Sequence, residues 1–157
     1  MCGIVGQLNF DNSPVSPVVL KKMTDVIAHR GPDGEGHWIE EGVGFGHRRL
    51  SIIDLSPAGH QPIISSDNRY VLTYNGEIYN FRELRIDLEA KGYWFRSQTD
   101  SEVVLYSLAE WGSDALLKFN GMFALAFWDR KEKRLLLARD RYGIKPLYYF
   151  QNDKKLV

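Results

Sequence analysis

Small, branched and polar residues alternate from Gly3 to Phe10, a pattern that predicts a strand presenting position 2 at its tip. Ser16 then Pro17 supply an N-cap and a first-turn signal, and Val19, Met23, Val26 and Ile27 recur at helical spacing, predicting a helix to about Ala28. The segments around His37 to Ile39, Gly44 to His47, Leu50 to Ile53 and Tyr70 to Tyr74 are short, branched or aromatic, and read as sheet. Asn80 with Glu83 matches a capping box before Phe81, Leu84 and Leu88, with Gly92 as the stop. Thr99 with Glu102 repeats the box before Val103, Val104, Leu108 and Trp111, ending at Gly112. GMFALAFWD and RLLLARD flank the polar turn RKEK and predict a hairpin, with PLYYF as a third strand. The turn-like QNDKK then leads into Leu156 and Val157, expected to begin another strand within which the chain stops. Helices grouped against antiparallel sheet, without strict βαβ alternation, place the chain in the α+β class.

Composition narrows the function classes. With 157 residues and 44% apolar content, one domain with a sizeable core is expected, and no repeat or linker divides it. Lys plus Arg and Asp plus Glu balance at 20 each, so no excess charge argues for nucleic acid or an anionic membrane surface. No apolar run approaches the roughly 20 residues of a membrane span, and Asn9, Asp11 and Asn12 break the opening hydrophobicity before it could form a signal peptide. A single cysteine forms no internal disulfide, which fits a reducing compartment, the cytoplasm by default. The histidines at 29, 37, 47 and 60 match no compact zinc spacing, so no metal is expected.

That cysteine is Cys2, directly behind Met1. Methionine followed by a small residue is normally trimmed, which would leave Cys2 as the terminal residue with its own base. A free thiol is only a few per cent thiolate at neutral pH, whereas a terminal amine titrates close enough to accept its proton and later hand it to a leaving amine. The bland alternative is a small buried hydrophobe on a strand. HRGPDGEG, with a turn at Pro32 and Asp33, is a loop rigid enough to shape a pocket, though it equally suits a surface turn.

MCGIVG, HRGPDGEG, GHRRLSIIDLSPAGHQPI, YNGEIYNF, QTDSEVVL, NGMFALAFWD and ARDRYGIKPLYY follow one another in register. In this order the chain resembles the class II glutamine amidotransferase domain of glutamine-hydrolysing asparagine synthetases. Sugar-phosphate aminating relatives share the CGIVG opening but carry a threonine-arginine-tryptophan motif where this chain has RRLSIID. The resemblance implies a four-layer αββα sandwich of the N-terminal nucleophile hydrolase type, a domain spanning 2–157, and hydrolysis of L-glutamine to glutamate and ammonia through a Cys2 thioester.

By resemblance, Asn75 and Gly76 form the oxyanion hole, Arg49 clamps the substrate carboxylate, and Glu77 and Asp100 hold its ammonium. The segment Leu50, Ser51, Ile52 and Ile53 lines the substrate with main-chain groups. The resemblance is less constrained at Arg48, and Asp140, Tyr142, Gly143 and Lys145 are read as structural, holding a turn. Taken singly, Asn-Gly is also a hairpin signal, an acid at 100 also suits a helix dipole, and Arg49 also suits a solvated strand. No cofactor is implied for the glutaminase. ATP and Mg belong to a C-terminal synthetase domain that would receive the ammonia and amidate aspartate, and the chain carries no Gly-rich phosphate loop. Another acceptor, such as a sugar or cell-surface precursor, a non-catalytic glutamine-sensing role, and a homo-oligomer remain open alternatives.

Overall fold

The computed structural model describes residues 1–51 and 57–157. In chain order the elements are β1 (Gly3–Asn9), α1 (Pro17–Val26), β2 (Gly34–Glu40), β3 (Val43–Arg49), β4 (Ile63–Ile64), β5 (Tyr70–Ile78), α2 (Phe81–Ala90), α3 (Asp100–Trp111), α4 (Ala115–Lys118), β6 (Gly121–Asp129), β7 (Arg134–Arg139) and β8 (Lys155–Leu156). The strands form two four-stranded antiparallel sheets, ordered β2-β3-β1-β8 and β4-β5-β6-β7. Helix α1 covers the first sheet, while α2 and α3 pack together on the second. The sheets face each other, giving the αββα layering expected from the sequence.

Alternation along β5 builds both interior layers. Leu72, Tyr74 and Ile78 enter the core beneath α2 and α3 with Leu88, Val104 and Leu108, whereas Val71 turns to the other side, packing with Val43, Phe45, Ala126 and Trp128 between the sheets. Each fully buried branched side chain contributes about 1.5–3 kcal/mol. The odd-numbered positions of β5, Asn75 and Glu77 among them, therefore turn toward the first sheet.

The caps are mixed. The Ser16 hydroxyl accepts the Val19 N–H at 3.4 Å with Pro17 in the first turn, and Thr99 accepts the Glu102 N–H at 3.3 Å. Glu102 does not return the bond to Thr99. Its buried carboxylate instead takes the Arg96 and Ser97 N–H groups and the Ser97 hydroxyl, fixing the approach to α3. Asn80 does not cap α2 at all. Its amide clasps the segment before β6, accepting from the Asn120 N–H and donating to the Lys118 carbonyl, each at 3.0 Å.

Three further sequence expectations are corrected. Helix α1 ends at Val26, with a 3-10 turn over Ala28–Arg30 beyond it, and it buries Leu20 and Thr24, not the stripe from Val19 to Ile27; Val26 is 77% exposed. The reason is the sheet beneath: Thr24 sits over Gly46, where a β-carbon would lie 2.4 Å from its hydroxyl, and Leu20 over Gly44, where one would lie at a tight 3.3 Å. The strand expected over Leu50 to Ile53 does not begin, since β3 ends at Arg49 and Leu50 and Ser51 are outside it; Ile52 and Ile53 lie outside the described residues. PLYYF is not a third strand of the hairpin. Asp140 accepts the N–H groups of Tyr142, Ile144 and Lys145, which turns the chain away from β7, and Tyr148 is left 89% exposed. Only Phe150 and Gln151 pair, with Val157 and Leu156, and β8 joins β1 in the first sheet.

Candidate active site

A cavity of about 230 Å³ opens where the ends of β1, β3 and β5 meet the start of α3. Cys2, Arg49, Leu50, Ser51, Asn75, Gly76, Glu77 and Asp100 all line it. Every site residue named from the sequence that falls among the described residues is thus brought to one place. Cys2 is half-buried, its thiol lying between the Leu50 N–H, accepted at 3.4 Å, and the Leu50 carbonyl at 3.6 Å. The HRGPDGEG loop holds both partners: Arg30 Nε donates to the Cys2 carbonyl at 3.1 Å, and Asp33 accepts the Ser51 N–H at 2.8 Å.

The hydrogen-bonding parity of β5 makes a donor available at Gly76. Phe123, opposite Gly76, spends its N–H and carbonyl on Asp140, so the Gly76–Phe123 pair is a non-hydrogen-bonded one. The even-numbered N–H groups of β5 therefore point away from β6. Tyr74 N–H is taken by the Gln61 side chain at 2.7 Å and Ile78 N–H by Asp100 at 3.0 Å. Gly76 N–H, between them, faces the cavity. A β-carbon at Gly76 would lie 2.4 Å from the Met122 carbonyl oxygen and 2.8 Å from Phe123 Cα, so close strand approach requires glycine here. Asn75, buried and turned toward the first sheet, places its amide on the same wall.

Asp100 stands beside β5 at the first turn of α3, only 6% exposed. Burial raises its pKa above the ordinary carboxylate value, against the pull of hydrogen bonds from Tyr74 and Ile78, and nearby Glu77 pushes in the same direction as burial. Tyr74 donates its hydroxyl to Asp100, and burial together with that carboxylate drives the phenol well above its usual range. Two acids sharing one small cavity present a ready seat for a cation.

Arg48 and Arg49 are separated by strand alternation. Arg48 turns to α1, donating to the Thr24 carbonyl at 3.1 Å and pairing with Asp25 and Glu35 at 2.5 and 2.6 Å. Arg49 enters the cavity, its guanidinium resting against Gly59, where a β-carbon would be 2.3 Å from Nη2.

Sequence reasoning missed Tyr74, Gln61, His47 and the side chain of Lys145. His47 is fully buried behind β5, and its Nε2 donates to the Tyr74 carbonyl at 3.1 Å, while Nδ1 has no partner among the described residues. Burial lowers its pKa from 6.5 to about 4, so it is neutral at pH 7. No local pattern marks any of these residues, because burial in the sandwich creates their roles. Among the described residues no group of three His, Cys, Asp or Glu side chains is placed to hold a metal ion, and no helix is long and apolar enough to cross a membrane.

The family model for the glutamine amidotransferase domain matches residues 1–157. The chain belongs to this family. Among the most similar curated glutamine amidotransferase relatives is asparagine synthetase [glutamine-hydrolyzing] 1 of Bacillus subtilis, 46% identical over 95% of this chain and 24% of its own length. A putative asparagine synthetase of Methanocaldococcus jannaschii is 37% identical over the whole chain and 33% of its own length. Amidase chry2 of Gibberella zeae is 38% identical over the whole chain and 25% of its own. The chain spans about a quarter of the first relatives it matches. Among solved structures, the glutamine phosphoribosylpyrophosphate amidotransferase of B. subtilis superposes with a TM-score of 0.80 at 19% identity, covering 99% of this chain and 41% of that one. That likeness establishes the α+β amidotransferase fold.

Proposed function

We propose that this amidotransferase domain hydrolyses the side-chain amide of L-glutamine, and that in the longer protein it supplies ammonia to a synthetase domain that amidates aspartate. The observation that carries the reading is one amino-acid-sized cavity holding the Cys2 thiol, the open Gly76 N–H, Arg49, and the Glu77 and Asp100 acids. It is smaller than the roughly 300–1,000 Å³ of drug-sized sites. Arg49 at one wall and two carboxylates at another suit the two charges of a zwitterion, and a guanidinium offers a carboxylate paired donors.

The chemistry uses the chain's own groups. With Met1 removed, the Cys2 amine takes the thiol proton as sulfur attacks the amide carbon. The oxygen that becomes negative is met by the Asn75 amide and Gly76 N–H, a donor of this kind contributing about 2.7–4 kcal/mol. The amine then protonates the departing nitrogen, releasing ammonia and leaving a thioester. A water, deprotonated by the same amine, hydrolyses it to glutamate and restores the thiol. No cofactor takes part in this scheme; ATP and Mg would act in the synthetase domain, and the reducing cytoplasm suits the thiol.

A second reading has the same glutaminase serve an acceptor other than aspartate; the observation beside it is that one relative, Amidase chry2, is not named a synthetase. The test of the shared core is an ammonia assay on chains whose intact mass shows Met1 removed, beside chains with an uncleavable N-terminal extension. Release only from the trimmed chain supports the scheme, and equal release from both defeats the amine as base.

A further inference from the structure

Lys145 is 4% exposed, yet its side chain lines the same cavity as Cys2. Its backbone is anchored by the turn at Asp140, whose Oδ2 accepts the Lys145 N–H at 2.9 Å, and Gly143 takes the left-handed φ of 66° that the turn needs. The side chain then runs inward. Its Nζ meets only the Met1 sulfur, at 2.7 Å, and forms no ion pair among the described residues. A thioether is a weak acceptor and an unusual sole partner for a buried ammonium, which ordinarily carries a carboxylate. Met1 is also the residue bonded to the Cys2 nitrogen, and its removal takes away the Lys145 contact while Lys145 and Cys2 remain in the lining of one cavity.

We propose that Lys145 is the electrostatic partner of Cys2: once Met1 leaves, its ammonium faces the thiol and the new terminal amine, favouring thiolate over thiol and free amine over ammonium. Both effects have the sign the glutaminase needs, since a nearby cation stabilises a negative sulfur and disfavours a second positive charge. Among the described residues, the other charged or titratable groups around the cavity are Arg49, Glu77, Asp100 and Tyr74, with Arg30 on the Cys2 carbonyl. Tyr74 is engaged by Asp100, the two acids and Arg49 are assigned to the substrate, and Arg30 is spent on the Cys2 carbonyl, so among the described residues Lys145 is the cation of the cavity lining left to act on the thiol and amine.

The inference rests on Cys2 as the trimmed nucleophile, and its test does not require turnover. Met1-free chains, verified by mass, are alkylated with iodoacetamide at pH 7. Lys145→Met, which preserves the packing of the stem, should slow Cys2 alkylation roughly three- to tenfold, while Lys145→Arg stays within about twofold of wild type. Where the Met variant lowers the melting temperature, Lys145→Gln carries the same expectation. In the ammonia assay kcat should fall with KM near wild type, and Arg should restore it. Alkylation of both neutral variants at the wild-type rate overturns the proposal. A Lys145-dependent alkylation rate in chains that release no ammonia would instead sustain this inference and defeat the glutaminase reading.

Discussion

Tyr74 donates its phenolic hydrogen to Asp100 Oδ2 across 2.8 Å, joining β5 to the first turn of α3 inside the candidate site. The same oxygen accepts the Ile78 N–H, so Asp100 is locked in place by the strand that also carries Asn75, Gly76 and Glu77. Asp100 and the Asn75–Gly76 pair are thereby fixed relative to one another.

Asp100→Asn separates substrate binding from folding. Burial raises this carboxyl's pKa, so its ionised form opposes folding at neutral pH and is relieved by neutralisation. The variant should melt at or above the wild-type temperature while kcat/KM for glutamine falls at least about 30-fold, the consequence of unpairing a buried substrate ammonium. Lower melting with intact kinetics would remove Asp100 from the clamp.

His47 should confer acid sensitivity. Its folded pKa of about 4 lies below the unfolded 6.5, so the unfolded chain binds the proton more readily; the stability is complete above about pH 6.5 and is lost as pH falls toward 4. The loss amounts to about 3 kcal/mol over that window. Urea unfolding at pH 7 and pH 4.5 should show it in wild type and show much less in His47→Gln.

Gly76→Ala places a methyl against Met122 and Phe123 of β6, which are backbone neighbours and cannot swing aside. Stability should fall by about 1–3 kcal/mol, and displacement of the Gly76 N–H should lower kcat by about 10²–10³-fold. Melting curves beside single-turnover ammonia release distinguish the two losses.

Gly59→Ala tests Arg49 without touching it. The added methyl meets the far end of a flexible side chain, so the fold should melt within a few degrees of wild type while the guanidinium is displaced and KM for glutamine rises several-fold. An unchanged KM would place the carboxylate elsewhere.

Capping residues and periodicity made α1, α3 and the β6–β7 hairpin legible in the sequence, because Ser16, Thr99 and the polar RKEK turn act on neighbours a few residues away. The buried face of α1 was not legible: two glycines on β3 choose Leu20 and Thr24, and that choice belongs to a different element. The alternative uses of Asn80 and PLYYF have the same origin in distant partners. In the site, Cys2, Arg49, Asn75, Gly76, Glu77 and Asp100 were legible through resemblance, and the structure gathers them around one cavity. His47, Tyr74 and Lys145 are ordinary in the sequence and become unusual only when buried.

Cys2 precedes a strand of the first sheet, whereas Asn75 and Gly76 belong to the second. At the far end of the same sandwich Arg130 grips Glu40 with two nitrogens, at 2.7 and 2.5 Å. Close behind the cavity His47 Nε2 on β3 donates to the Tyr74 carbonyl on β5, so the two sheets are riveted at both levels, and Cys2 and the Asn75–Gly76 pair reach one cavity from layers that cannot slide past each other.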